Sequence, residues 1–278
     1  MLDKIREKIL NAALTDEQIG LFYVGQLGFI VKFRGKYILI DGYLSDYVDR
    51  KCTSESFPMV RNYPVPIAPE ELDFIDFVFC THDHADHTDP FTVSAIASVN
   101  GKALFFSPQG VAGKLTEYGV PAERIRGVRC DSFIPLCDGM GVTPVPAAHE
   151  ELHPDGEDGY LEVGYLFKLG SATLYHSGDC CPYDGLDSRV KGCDVMIMPI
   201  NGRDYYRRYE HNIIGNFTVR EAVLLAKRSG AKLLIPAHFD LYPLNGEDPA
   251  AFVTGVYKFA PGLPFHIFMP GEGYVYNG

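Results

Sequence analysis

The stretch FVFCTHDHADHTDP, residues 77–90, sets His82, His84 and His87 among Asp83, Asp86 and Asp89 directly behind an apolar run. A short apolar run that stops at polar residues reads as a buried strand, and residues two apart in an extended chain share a face. His82 and His84 therefore project to one side as the chain leaves the strand, while Asp86 and His87 continue around the turn. Two separate metal positions come within reach of one segment. Imidazole and carboxylate suit zinc, iron or manganese, and ligands from a single loop fix a site more rigidly than ligands gathered one by one. The plain alternative is a polar loop with chance histidines. Against it stand three further candidates, each directly behind an apolar strand: His149 closes VPAAH, Asp179 closes LYHSGD and His238 closes LIPAH.

Outward from this segment, LFYVG, GFIVKF and KYILID follow one another with Gly25, Gly28 and Gly35 as turns and read as an antiparallel meander. FIDFVFC and KALFFS read as strands, with helices near 90–99 and 108–118, before GVTPVPAAH. The second half repeats the theme. YLEVGYLFKLG and ATLYHSGD read as a hairpin, and DVMIMPI, KLLIPAH and FHIFMP as further strands. Thr218, three residues before Glu221, opens a helix to about 229 with a capping box. Strands first, then alternating elements, twice over, predict a layered α/β fold of two sheets with helices outside, in one domain over residues 1–278. Residues 43–71, with Pro58, Pro64, Pro66 and Pro69 and no sustained period, form a long loop that is either a lid or a plain surface excursion.

With 46% hydrophobic and 22% charged residues, the composition is that of a soluble globular chain. A formal net charge of −11 argues against holding long nucleic acid or an anionic membrane through a basic face. MLDKIREKILNAAL places Leu2, Ile5, Ile9 and Leu10 at helical spacing among charges, an amphipathic surface helix and not the core of a signal peptide. No segment approaches the roughly 18 consecutive apolar residues of a membrane span. A cytoplasmic homo-oligomer without membrane contact is expected. The seven cysteines, Cys180 and Cys181 adjacent among them, suggest no disulfide framework and read as reduced thiols.

The order His82-x-His84-x-Asp86-His87, then His149, Asp179 and His238, resembles the metallo-β-lactamase fold superfamily. THDHADH, GVPAERI, GYLFKLGSATLYHSGD and AKLLIPAHFD are similar to its L-ascorbate-6-phosphate lactonase-like branch. The resemblance implies a four-layer αββα sandwich with a two-metal site along one edge of the sheets. It puts His82, His84 and His149 on the first metal, Asp86, His87 and His238 on the second, and Asp179 between the two. Asp86 and Asp179 are then the catalytic carboxylates. A water or hydroxide between the ions would be the nucleophile, since metal binding lowers its pKa to about 7. Histidine at position 84, where diiron oxygen-reducing relatives carry a carboxylate, favours a hydrolase. The implied cofactors are two divalent ions, manganese or zinc, with iron also admitted by the ligand set, and the lactonase-like branch is associated with manganese.

Other polar residues read more plainly. His176 orients a ligand or satisfies a hydrogen bond in a sheet, His153 and His266 belong to surface or core, and Asp83 is either a proton carrier or a capping or supporting carboxylate. Cys180 and Cys181 are packing residues. The segment INGRDYYRRYEHNIIGNFT, residues 200–218, gathers Arg203, Tyr205, Arg207, Arg208 and His211 in an acidic chain. Arginine forks suit phosphate and carboxylate, and tyrosine adds stacking surface and a hydroxyl, so these residues are candidates for an anionic substrate. An ordinary exposed loop is the other reading.

These features lead to a two-metal hydrolase that opens a lactone or similar ester of a small, phosphorylated, sugar-derived substrate. A phosphodiesterase acting on small phosphodiesters or nucleotides is the runner-up, because the same centre serves in-line attack at phosphorus. A metal-stabilised binding or regulatory protein without turnover is a third reading, opposed by the full set of seven ligands.

Overall fold

The computed structural model describes residues 3–157 and 159–278; Leu2 of the amphipathic segment lies outside them. In chain order the first half comprises α1 (Asp3–Asn11), β1 (Ile19–Gly25), β2 (Gly28–Phe33), β3 (Lys36–Ile40), α2 (Tyr47–Lys51), β4 (Phe77–Phe79), α3 (Pro90–Val99), β5 (Leu104–Pro108), α4 (Ala112–Glu117) and β6 (Ile125–Val128). The second half comprises β7 (Ile134–Cys137), β8 (Met140–Pro146), β9 (Val163–Leu169), β10 (Ala172–His176), α5 (Leu186–Arg189), β11 (Val195–Pro199), α6 (Val219–Ser229), β12 (Leu233–Ala237), α7 (Pro249–Phe259) and β13 (Gly273–Tyr276).

Two sheets form, ordered β13-β1-β2-β3-β4-β5-β6 and β12-β11-β10-β9-β8-β7. Their inner faces share one core in which Phe29, Phe79 and Phe106 meet Tyr165, Phe167 and Ile197. Phe79 stacks on Phe106 at 4.5 Å and meets Phe167 edge-on at 5.0 Å, so aromatic geometry locks the facing sheets in register. The outer face of the first sheet is covered by Ile5 and Ile9 of α1, Val93 and Ile96 of α3 and Leu115 of α4. Ala222, Val223 and Leu225 of α6 and Phe252 of α7 cover the second. The layers are therefore helix, sheet, sheet, helix, as the resemblance implies.

Strand direction places the site. β3, β4 and β5 run parallel, as do β10, β11 and β12. β8 is antiparallel to β9 and β9 to β10, so β8 shares the direction of β10. The segments ending in Asp41, His82, His149, Asp179 and His238 thus all leave the sheets at the C-terminal ends of such strands, where ligands gather in α/β folds. Asp89 begins α3 by accepting a hydrogen bond from Phe91 N at 3.1 Å, with Pro90 at the first helical position, and this stops the ligand loop within a few residues of His87.

The meander, the β9–β10 hairpin and the capping box of α6 stand where the sequence places them. FHIFMP differs. Flanked by Pro264 and Pro270, it makes only one bridge, Leu234 to Phe265, and the strand that completes the first sheet is the later GYVY of β13. Among the described residues no helix is long and apolar enough to cross a membrane.

The first helix is fastened from below. Lys32 of β2, 7% exposed, donates from Nζ to the carbonyls of Ile9, Leu10 and Ala12 at 2.9, 2.8 and 3.0 Å, capping the carbonyl end of α1 with a positive charge. Lys32→Met keeps the apolar stem but orphans these carbonyls, which should cost about 2 kcal/mol or more. Denaturant unfolding should show that loss, and an unchanged midpoint would mean that the cap contributes nothing.

Candidate metal centre

The ligand loop leaves β4 at Cys80. Thr81 N and Oγ1 both donate to the Asp41 carboxylate, at 2.9 and 2.7 Å, and His87 Nδ1 meets Asp41 Oδ2 at 2.8 Å. With Nδ1 so engaged, His87 turns Nε2 into the site. His82 is turned in the same way, its Nδ1 standing 3.0 Å from Thr81 Oγ1.

All seven sequence candidates come together. Three groups of potential ligand atoms lie within 4.8 Å of one another: His82, His84 and His149; His82, His87 and Asp179; and Asp86, His87 and His238. Asp179 sits between the first and last. One of its oxygens is 3.4 Å from His87 Nε2, and the other is 3.9 Å from His149 Nε2 and 3.5 Å from His238 Nε2. His82, His87, His149, Asp179 and His238 are buried, Asp86 is half-buried and His84 is exposed. His82 Nε2, His87 Nε2 and Asp179 Oδ1 are buried with no hydrogen-bond partner. An orphaned buried polar atom costs about 1–3 kcal/mol, and a divalent cation satisfies these imidazole and carboxylate atoms at once. The residues fit a metal.

The charges fit it as well. Burial pushes His82 far toward the neutral form, helped by His87 and His84, and brings His149 down to about 4. Burial works the same way on His87 and His238, but there the carboxylates of Asp179 and Asp86 outweigh it and hold both imidazoles above their ordinary value. In return, and against burial, the histidines hold the Asp86 and Asp179 carboxyls well below the usual carboxylate range.

Four residues around this edge, Gln26, Asp41, Glu150 and His238, have left-handed backbones at φ 59°, 45°, 64° and 57° although none is glycine. Such conformations persist only where surrounding structure fixes them. His238 N donates to Gln26 O at 2.7 Å, coupling the end of β12 in one sheet to the β1–β2 turn in the other.

Above the ligands lies a cavity of about 430 Å³. Its walls come from Val48, Phe57 and Met59 of the long loop and from 211–214, with His84, Asp86, His149, Asp179 and His238 at the floor. A buried network anchors the long loop: Tyr242 Oη donates to Asp49 Oδ1 at 2.8 Å and stands 3.0 Å from Tyr43 Oη, and Asn62 N donates to Leu241 O at 2.8 Å. His211 reaches the cavity, its ring 4.6 Å from Phe57 and 4.5 Å from Tyr206.

The arginines stand elsewhere. Arg203 forks onto Glu221 at 2.7 and 2.8 Å, Arg208 Nε pairs with Glu150 at 2.8 Å, and Arg207 binds Asp204 and reaches Asn245 Oδ1 at 3.0 Å. None of the three is among the cavity's lining residues, and Tyr205 is 72% exposed, its ring against Tyr209. Asp41, Thr81 and Gln26 are site residues that the sequence reading passed over. Asp41 carried the signal used for the others, an apolar strand ending directly on a ligand-type residue.

Residues 36–239 match the family model described as the β-lactamase superfamily domain. A UPF0173 metal-dependent hydrolase of Caldivirga maquilingensis is 24% identical over 91% of this chain and 96% of its own length. A probable L-ascorbate-6-phosphate lactonase, UlaG, of Salmonella heidelberg is 27% identical over 69% of this chain, and the match spans 56% of that protein's length. Among solved structures, an isothiocyanate hydrolase from Delia radicum gut bacteria has a TM-score of 0.71 at 17% identity, covering 92% of this chain and 98% of the other. The metallo hydrolase Igni18 of Ignicoccus hospitalis has a TM-score of 0.67 at 22% identity, covering 93% and 98%.

The asymmetry of the imidazoles sets a pH order. A ligand whose pKa is raised holds a proton that a metal must displace, so its metal affinity falls as pH drops through that raised value; a ligand whose pKa is lowered is neutral already. His87 and His238 belong to the first kind, His82 and His149 to the second. Stepwise acidification of metal-loaded protein, followed by metal analysis, should strip metal from Asp86, His87 and His238 before it strips any from His82, His84 and His149. Asp41→Ala should weaken the former position about tenfold to a hundredfold, through loss of the His87 orientation.

Proposed function

The chain belongs to this β-lactamase superfamily and is a metal-dependent hydrolase, and from its site we propose that it uses two divalent ions to open a lactone or related ester of a compact, sugar-derived substrate. The observation that carries the reading is the meeting of seven nitrogen and carboxylate ligands, several of them buried and otherwise unpartnered, at the floor of a cavity of small-molecule size. His82, His84 and His149 would hold one ion, Asp86, His87 and His238 the other, with Asp179 between them. Bound there, divalent cations supply a water nucleophile active near neutral pH and an electrophile for the scissile carbonyl.

The chain's own groups do the rest. Asp41 and Thr81 keep the His87 and His82 rings turned inward. Val48, Phe57, Met59 and Ile213 exclude bulk water from the reacting bond, which strengthens every charge interaction beneath them. Asp86 is the more accessible of the two central carboxylates, with 18% of its side chain exposed against 5% for Asp179. Its carboxylate would accept a hydrogen bond from the attacking water and so orient it toward the carbonyl. His211 and Asn245, with Ser54 and Asn212 the polar groups of the wall, would fix the substrate's hydroxyls. The lactone reading draws its support from the likeness to the lactonase named above and from a cavity whose lining includes no arginine or lysine.

Purified protein loaded with manganese or zinc, screened against sugar lactones, their phosphorylated forms and small phosphodiesters, tests the proposal. Lactone hydrolysis is the expected result; phosphodiester hydrolysis alone would give the site to in-line attack at phosphorus, and turnover of neither class would sink the hydrolytic reading for these substrates. His211→Ala should raise KM several-fold with metal content unchanged. Arg203→Ala and Arg208→Ala should leave the ratio of KM values for phosphorylated and plain lactone unaltered, because their guanidiniums already face Glu221 and Glu150. A shift in that ratio would bring the arginines back as phosphate contacts.

A further inference from the structure

Gln26 sits in the turn between β1 and β2, 2% exposed. Its backbone is held on both sides: the carbonyl accepts from His238 N at 2.7 Å and Tyr23 Oη at 3.0 Å, and the N–H donates to Tyr63 Oη at 3.3 Å. At φ 59° the turn would be easier for glycine than for any residue with a side chain. Nothing in the backbone calls for glutamine there.

Its side chain ends in the metal centre. The carboxamide Nε2 lies 2.7 Å from Asp86 Oδ2 and 3.0 Å from His238 Nε2, and those two atoms are 3.5 Å apart. Two ligand atoms bound to one first-row cation at about 2.1 Å stand about 3.0 to 3.4 Å from each other at octahedral or tetrahedral angles. The three sides of this triangle, 2.7, 3.0 and 3.5 Å, bracket that spacing to within about 0.3 Å, which puts the amide end near the corner where a third donor to the same ion would stand. An amide nitrogen donates hydrogen and does not ligate, but half a turn about the last side-chain bond exchanges it with Oε1 at nearly the same place.

We infer that Gln26 is a ligand, through Oε1, of the metal position formed by Asp86, His87 and His238. The inference rests on the two-metal reading given above. It also separates the two positions chemically. Carbonyl and carboxylate oxygens suit manganese and magnesium, so the position with Asp86 and Gln26 is the harder one, and the three imidazoles of His82, His84 and His149 suit zinc.

Calorimetric titration of metal-stripped protein with manganese and with zinc, joined to metal analysis and manganese EPR, tests this on wild type, Gln26→Gly and Gln26→Glu. Glycine removes the amide while easing the backbone, and the unfolding midpoint of the metal-free variant checks that the fold is kept. Should that turn loosen, Gln26→Asn tolerates the left-handed backbone with an amide too short to reach. Gln26→Gly should bind its first ion like wild type and its second manganese tenfold or more weakly, with the spectrum of a coupled pair giving way to that of an isolated ion. Gln26→Glu, which keeps an oxygen in place, should bind the second ion at least as tightly as wild type. Unchanged affinities in Gln26→Gly overturn the inference. So does equal weakening in both variants, which would leave the amide a mere donor to Asp86. A wild type that takes at most one ion overturns the two-metal reading itself, and this inference with it.

Discussion

One buried carboxylate, Asp41, holds the ligand loop to the sheet. It directly follows β3, its own N–H donates to Phe79 O of the neighbouring strand at 2.9 Å, and its oxygens receive Thr81 N, Thr81 Oγ1 and His87 Nδ1. A fully buried carboxylate is tolerable only when its oxygens are paired, and here every partner belongs to the segment whose side chains make the site. The dependence is mutual. Without Asp41 the loop loses its register against β3, and without the loop the carboxylate is a buried, unpaired charge.

From that anchor the remaining geometry follows by packing. The aromatic core of Phe79, Phe106, Tyr165 and Phe167 fixes how the two sheets face each other, and hence how far His82 and His87 stand from Asp179 and His238 on the opposite sheet. The contact of His238 N with Gln26 O closes the same edge from the other side. Three left-handed non-glycine residues, Gln26, Asp41 and His238, are each clamped by these cross-links, which is why their backbones can hold conformations a free chain would leave. The strain is the visible cost of bringing strand ends from two sheets to one point.

Much of this was legible in the sequence. Strand ends announce themselves when an apolar run stops on a ligand-type residue, and His149, Asp179 and His238 were found that way. Asp41 follows KYILI by the same rule, yet it lies 41 positions before His82 and makes sense only once β3 and β4 are known to be parallel neighbours. Gln26 gave no signal, because an amide in a turn is ordinary and a positive φ cannot be read from residue type. The helix at 249–259 is not among the elements read from the sequence, although Asp248-Pro249 offers an N-cap followed by proline at the first helical position, and β13 was hidden by its shortness and its isolation near the chain's end. The apolar FHIFMP looked like the better strand, and two prolines at its borders were the evidence against it.

The arginines of 203–208 show where composition stops being informative. Three guanidiniums in a chain of net charge −11 suggest a patch kept free for an anion, but charge balance over a whole sequence says nothing about local pairing. Arg203 and Glu221 are brought together by the capping of α6, and Arg208 and Glu150 by the passage of the loop beside His149. Glu150 also accepts from Gly215 N at 3.1 Å, so the same carboxylate that takes Arg208 pins the loop's far end next to a metal-ligand candidate. Arg207 reaches through to Asn245 on the cavity wall. Each arginine thus ties the loop to a fixed element and holds His211, Asn212 and Ile213 over the ligands. In this arrangement the positive charge shapes the cavity from behind, and the wall above the ligand candidates mixes Val48, Phe57, Met59 and Ile213 with Ser54, His211, Asn212 and Asn245.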